Sequence, residues 1–91
     1  MSDEQQLYTE VDRAERAKQI LEHDLYKEAF TLIRTNLLAD IENSKTGQSE
    51  IREEAWRKLH VLKELERYFR TIMQTGEMAK ISLRERFKRF V

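Results

Sequence analysis

The sequence predicts an all-α fold, and three observations lead to this prediction. The 91-residue chain contains no proline, no cysteine and only two glycines, whereas turn-rich β folds depend on glycine and proline at their turns. Apolar residues recur every three or four positions over most of the chain, which is the period of an amphipathic helix. The length allows one small domain rather than two.

The composition also excludes several classes of protein. A chain without cysteine has no disulfide framework, no cysteine-based zinc site and no cysteine nucleophile. No run of 18 apolar residues is present, so no transmembrane helix is expected. The first ten residues are acidic and polar, unlike a secretory signal. We therefore expect an intracellular protein.

The first helix is predicted over residues 3–22. Its apolar stripe (Leu7, Val11, Ala14 and Leu21) has helical spacing but includes alanine, which buries little surface. At about 25 cal/mol per Å² of buried apolar surface, alanine contributes far less than leucine. We expect this helix to need a neighbouring helix or a second chain to stay ordered.

The second helix is predicted over residues 25–42, with Asp24 as its N-cap. It is the most apolar segment of the chain and is therefore expected to be the core helix. Its apolar positions follow steps of four, three, four and four residues: Tyr26, Phe30, Ile33, Leu37 and Ile41.

Residues 43–49 are predicted to form a polar loop, and a third helix is predicted over residues 50–75. Ser49 is expected to be its N-cap, and Gly76 is expected to end it in the left-handed conformation. Helices two and three would then form an antiparallel hairpin braced by the first helix. Residues 1–79 would be the helical domain, and residues 80–91 a short basic amphipathic helix or tail.

The two ends of the chain carry opposite charge. Residues 1–24 contain seven acidic and three basic side chains, a charge of −4. Residues 80–91 contain five basic side chains and one acidic side chain, a charge of +4. Such an asymmetry is informative about partners, and it allows contact between the ends of one chain, head-to-tail association, or a tail that binds a foreign acidic surface.

The basic tail and Trp56 are the predicted partner-binding residues. The tail mixes large apolar and basic side chains, so it suits a groove on a protein partner, an anionic membrane surface, nucleic-acid phosphates or docking on its own acidic first helix. Alone it is too short for a stable helix, and we expect it to be disordered until held. The predicted partner-binding residues are Leu83, Arg84, Arg86, Phe87, Lys88, Arg89, Phe90 and Trp56.

Catalysis and metal binding have little support in the sequence. The two histidines, His23 and His60, lie 37 residues apart, and no glycine-rich phosphate loop is present. His23, Asp24 and Glu28 could together offer three metal ligands, but a helix cap with a surface histidine is the simpler interpretation. We expect no catalytic residue, no metal site and no cofactor. The aromatic residues have helical spacing, so we interpret them as core residues in preference to interface anchors.

Three segments resemble small helical proteins of tailed bacteriophages that are often encoded near head and DNA-packaging genes. They are RAERAKQILEHDLYKEAF (13–30), REEAWRKL (52–59) and IMQTGEM (72–78), so the resemblance covers about residues 13–79. Members often carry proline where this chain has Asp24, which would suit a helix start. The resemblance implies a phage structural or assembly protein in the host cytoplasm or the virion, and it transfers no functional residue.

The leading functional prediction is therefore a non-enzymatic phage assembly or virion-associated factor. It would dock to a larger protein, either a phage structural or packaging protein or a host protein. Homo-oligomerisation is possible because a thin apolar stripe gains burial by association. The alternative is a small regulator that binds nucleic acid or inhibits a host nucleic-acid enzyme.

Overall fold

Three α-helices make up the described part of the chain in the computed structural model, which describes residues 2–89. They are α1 (Asp3–Glu22), α2 (Asp24–Asn43) and α3 (Ser49–Lys88). No strand occurs within these residues. The all-α prediction is confirmed, and α1 has the predicted bounds.

α1 begins with a capping box that the sequence analysis overlooked. The Ser2 hydroxyl accepts a hydrogen bond from the Gln5 backbone N–H (3.2 Å), and the Gln5 side-chain oxygen accepts one from the Ser2 backbone N–H (3.1 Å). The signal is present in the sequence as serine followed three residues later by glutamine. It satisfies two backbone donors that helix formation would otherwise leave without partners.

His23, rather than Asp24, caps α2. His23 has extended backbone angles (φ −67°, ψ 130°), and its Nδ1 accepts a hydrogen bond from the Leu25 backbone N–H at 3.1 Å. Asp24 is the first helical residue, where its charge is favourable near the positive end of the helix dipole. The predicted N-cap was therefore wrong by one residue, because an imidazole nitrogen can replace the usual carboxylate oxygen as acceptor.

Arg52 holds the loop between α2 and α3. Its Nη1 donates hydrogen bonds to Ser44 Oγ (3.2 Å) and to the Lys45 carbonyl (2.7 Å). The Gln48 side-chain oxygen accepts a hydrogen bond from the Lys45 N–H at 2.9 Å. The Gln48 backbone carbonyl accepts one from the Arg52 backbone N–H in the first turn of α3. The predicted Ser49 N-cap was wrong, since Ser49 is already helical.

α3 is one helix of 40 residues and does not end at Gly76. No glycine among the described residues has a positive φ, so Gly76 does not form the predicted left-handed cap. Gly76 is buried in the middle of the helix. The basic segment from Lys80 onward is helical up to Lys88, but it continues α3 and is not the separate C-terminal element that was predicted.

The fold divides into two compact units, each containing a different half of α3. One unit comprises residues 23–66, and the other comprises residues 2–22 with residues 67–89. The first is the predicted hairpin of α2 with the N-terminal half of α3. Its buried cluster contains Leu37, Ala55 and Leu59, with Ile41 packed against it.

α2 is less buried than its composition predicted. Leu37 is its single fully buried residue, while Tyr26 and Phe30 are half-buried and stack with their ring centroids 6.1 Å apart. Ile33, a predicted core position, is exposed. A helix that packs against one neighbour buries only a narrow stripe, so the wide apolar face of α2 is largely uncovered within this unit.

In the other unit, α1 packs antiparallel to the C-terminal half of α3. Ala14 and Ala17 of α1, and Ala79 and Leu83 of α3, are its buried hydrophobic residues. Gly76 faces Ala14, and a Cβ built on Gly76 would overlap Ala14 Cβ and lie 3.0 Å from the Glu10 carbonyl. Gly76 therefore leaves space for the neighbouring helix and does not end α3.

Replacing Gly76 with alanine is expected to destabilise the protein. The overlap with Ala14 should cost about 1–3 kcal/mol, which exceeds the gain of about 1 kcal/mol in helix propensity. Urea unfolding followed by circular dichroism measures the difference. Gly47→Ala is the control, because a Cβ there meets nothing within 4 Å, and it should leave stability unchanged or slightly higher. Equal effects of the two substitutions would contradict this packing.

Replacing His23 with alanine is expected to lower the free energy of unfolding by about 1 kcal/mol, because the Leu25 N–H loses its acceptor. His23→Asn keeps a side-chain acceptor and should retain or improve wild-type stability. The same unfolding experiment compares the two variants. If alanine and asparagine behaved alike, the His23 cap would have no energetic role.

Candidate functional site

The C-terminal turns of α3 hold five of the eight residues predicted to bind a partner, and Arg89 lies in the turn that follows the helix. Their environments differ, so they do not form one surface. Phe90 lies outside the described residues. Trp56 lies in the other unit and is treated separately below.

Leu83 and Arg86 are occupied by contacts within their own unit. Leu83 is 8% exposed and belongs to the core. Arg86 Nη2 donates to Asp3 Oδ2 at 2.7 Å, near the start of α1. The acidic beginning of α1 thus lies beside the basic end of α3. One of the arrangements that the charge asymmetry allowed, contact between the two ends of the same chain, is present in this ion pair.

Arg84, Phe87 and Lys88 form the exposed part of the predicted site, and we call them the C-terminal surface. Their spacing of three and one residues places them on one side of α3. Phe87 is 61% exposed. Lys88 Nζ lies 3.6 Å from Glu85 Oε1, whereas Arg84 forms no ion pair with another residue in 2–89. The arrangement is an exposed aromatic ring beside two cations.

The remaining basic residues add little to this surface. Arg89 is exposed in the turn that follows α3. Lys80 Nζ is paired with Glu77 Oε1 at 3.4 Å. Arg86 and Lys88 lie in the last turn of α3, where the negative end of the helix dipole stabilises cations. Part of the positive charge of the tail is therefore balanced by the protein itself.

Trp56 is exposed on the N-terminal half of α3. Its side chain is 54% exposed, and its ring meets the His60 ring edge-on with centroids 5.0 Å apart. Arg57 on the same helix is paired with Glu53 at 3.5 Å. Trp56 is thus an exposed aromatic surface of its own, and it is not a core residue.

A groove that was not predicted from the sequence lies along α3 beside Met73 and Met78. Its volume is about 540 Å³, and Arg70, Gln74 and Glu77 also line it. Met78 is the most exposed large apolar side chain of the described residues, at 70%. The two methionines close to Gly76 are visible in the sequence. They were not predicted to share one surface, because the third helix was expected to end at Gly76.

Neither a metal cluster nor a membrane-spanning helix is found within residues 2–89. No group of three or more histidine, aspartate or glutamate side chains there is arranged to hold a metal ion. None of the helices in that part of the chain is long and apolar enough to cross a membrane. His23 serves as a helix cap, and His60 packs on Trp56.

The ion pair between Arg86 and Asp3 is expected to contribute little stability. Both side chains are substantially exposed (40% and 81%), so a double-mutant cycle with Arg86→Ala and Asp3→Ala should give a coupling below about 1 kcal/mol. The coupling should shrink as salt screens the charges. A cycle between Lys88→Ala and Asp3→Ala is the control and should show no coupling. A large, salt-insensitive value would indicate a desolvated pair instead.

Comparison of the chain with protein-family models, with curated proteins and with solved structures finds no match. The candidate surfaces therefore rest on the exposure, charge and contacts of their own residues.

Proposed function

We propose that this chain is a non-enzymatic binding protein that docks on a larger protein through the C-terminal surface of α3. The observation that carries the proposal is the exposed Phe87 ring beside Arg84 and Lys88. An aromatic ring flanked by cations fits an apolar pocket with an acidic rim. Its position on a helix favours a rigid anchor over a disordered peptide, because less conformational entropy is lost on binding.

The partner proposed is a phage structural or packaging protein. This part of the proposal rests on the resemblance of residues 13–79 to small helical proteins of tailed phages, and it places the protein in the host cytoplasm or the virion. Trp56 is proposed as a second, separate anchor, since tryptophan is over-represented among residues that dominate binding energy.

Charge balance favours a protein partner over nucleic acid. Nucleic-acid binding depends on many unpaired cations that contact phosphates, whereas Arg86, Lys88 and Lys80 have carboxylate partners within the chain. A nucleic-acid-binding regulator is therefore kept as an outcome of the test.

Phe87→Ala is expected to reduce partner capture at least tenfold, because it removes the proposed aromatic anchor. The experiment is a nuclease-treated pull-down from infected cells with quantitative mass spectrometry of capsid, portal and packaging proteins. Met78→Ala is the matched control, since Met78 is equally apolar and exposed on the same helix. It should capture the partner as the wild type does.

Undiminished capture by Phe87→Ala would contradict the proposed surface. Capture that disappears with nuclease treatment, and falls steeply with salt, would favour the nucleic-acid regulator. Circular dichroism of both variants excludes a loss of fold as the cause.

A further inference from the structure

The hairpin of α2 with the N-terminal half of α3 has a second apolar stripe on α2. The packed positions of this helix are Tyr26, Phe30, Leu37 and Ile41. The second stripe follows alternating steps of four and three residues, the repeat of helices that pack side by side along their length. This α2 outer stripe consists of Leu25, Ala29, Leu32, Asn36 and Ala39.

α3 has a matching stripe in the same unit. Its packed positions are Arg52, Ala55, Leu59 and Leu62. A second set of residues again follows steps of three and four. This α3 outer stripe consists of Ile51, Glu54, Lys58, Val61 and Leu65.

The two outer stripes lie on the same side of the hairpin. Three of the five members on α2 and four of the five on α3 directly precede packed residues, as Leu25 precedes Tyr26 and Lys58 precedes Leu59. An antiparallel helix pair has a local twofold axis perpendicular to the plane of the two helices. Rotation about that axis exchanges the helices and keeps each side of the pair on its own side. Residues that come one position before the packed residues on α2 therefore lie on the same side of the hairpin as those that come one position before the packed residues on α3.

This side is apolar and exposed. Leu25 and Val61 are 67% and 66% exposed, and Leu32, Ile51 and Leu65 are each more than two-fifths exposed. The stripes contain two charged residues, Glu54 and Lys58, which pair with each other at 3.3 Å. A contiguous apolar surface of this kind marks an interaction site.

The opposite side of the same hairpin is mostly polar, with Leu38 and Trp56 as its large apolar residues. It is formed by the residues that directly follow the packed positions. These are Lys27, Thr31, Leu38 and Glu42 on α2, and Glu53, Trp56, His60 and Lys63 on α3. The hairpin is thus a two-helix layer with one apolar side and one polar side, so it is half of a four-helix arrangement.

We propose that a second copy of this chain packs its outer stripes against these outer stripes to form a four-helix bundle. At about 100 Å² for each half-exposed large side chain, the five aliphatic residues present about 500 Å² per copy. The two alanines, the single asparagine and the Glu54–Lys58 pair between them bring the layer near the roughly 800 Å² per partner of a standard stable interface.

Charge also favours a second copy. Because Glu54 and Lys58 cancel, two identical faces meet without repulsion. A twofold contact uses the same surface on both partners. Within each copy, the local twofold axis of the antiparallel hairpin already relates the α2 outer stripe to the α3 outer stripe. The inference does not depend on the C-terminal surface, which lies in the other unit.

The oligomeric state of the full chain tests the proposal. Analytical ultracentrifugation of the wild type should give twice the mass of one chain. Val61→Glu places a carboxylate in the apolar interface of both copies, so the dimer should dissociate at least tenfold more readily. Leu38→Glu is the matched control on the polar side and should remain dimeric. A monomeric wild type, or equal effects of the two variants, would overturn the proposal.

Cross-linking gives a second measurement that does not require Val61→Glu to fold. The chain has no cysteine, so Lys58→Cys introduces a single thiol in the outer stripe and His60→Cys introduces one on the polar side. A short bismaleimide should join two copies of the Lys58→Cys variant and leave the His60→Cys variant monomeric on a denaturing gel. Equal cross-linking at both positions would overturn the proposed face.

Discussion

The packing of α1 against the C-terminal half of α3 depends on the absence of a side chain at Gly76. Glycine in a helix interior costs about 1 kcal/mol relative to alanine, and here the space without a Cβ is occupied by Ala14 and the Glu10 carbonyl. Close packing of the two helices offsets the local cost. α3 therefore continues past residue 76, and its C-terminal turns, including the basic residues, are held as helix against α1.

The buried hydrophobic residues of the described chain are four alanines and three leucines. Alanines permit close contact between helix backbones but remove little apolar surface from water. Many of the large aliphatic side chains consequently remain exposed outside the two helix pairs. The distribution explains how a chain with a strong helical pattern has a small core, and it connects both proposed interaction surfaces to the same cause.

Much of the fold could be predicted from residue spacing. The bounds of α1, the hairpin loop and the antiparallel pairing of α2 with α3 follow from periodicity and from the polar segment around Gly47. The role of Gly76 could not be predicted, because a helix-ending glycine and a close-contact glycine look alike in one sequence. The difference lies in Ala14, more than 60 residues away, which only the folded chain brings alongside.

The candidate site was predictable in part. The composition of residues 80–91 indicated a basic amphipathic segment, and the charge asymmetry allowed the contact found between Arg86 and Asp3. Burial of Leu83 and exposure of Phe87 depend on which side of α3 meets α1, and that was unknown once the helix was expected to end at Gly76. α2 was similarly expected to be the core helix, since a wide apolar face does not reveal how much of it one neighbour covers.

The short loop that Arg52 holds between α2 and α3 implies an order of events during folding. α2 and α3 are joined by a five-residue connection, so their pairing closes a short loop, whereas the Asp3–Arg86 contact joins residues 83 positions apart. The entropic cost of closure rises with the length of chain enclosed, and local contacts form faster than distant ones. The hairpin is accordingly the natural nucleus, and α1 docks last. The same order predicts that amide protons of α1 exchange with solvent before those of the hairpin, as the last element to dock is the first to open.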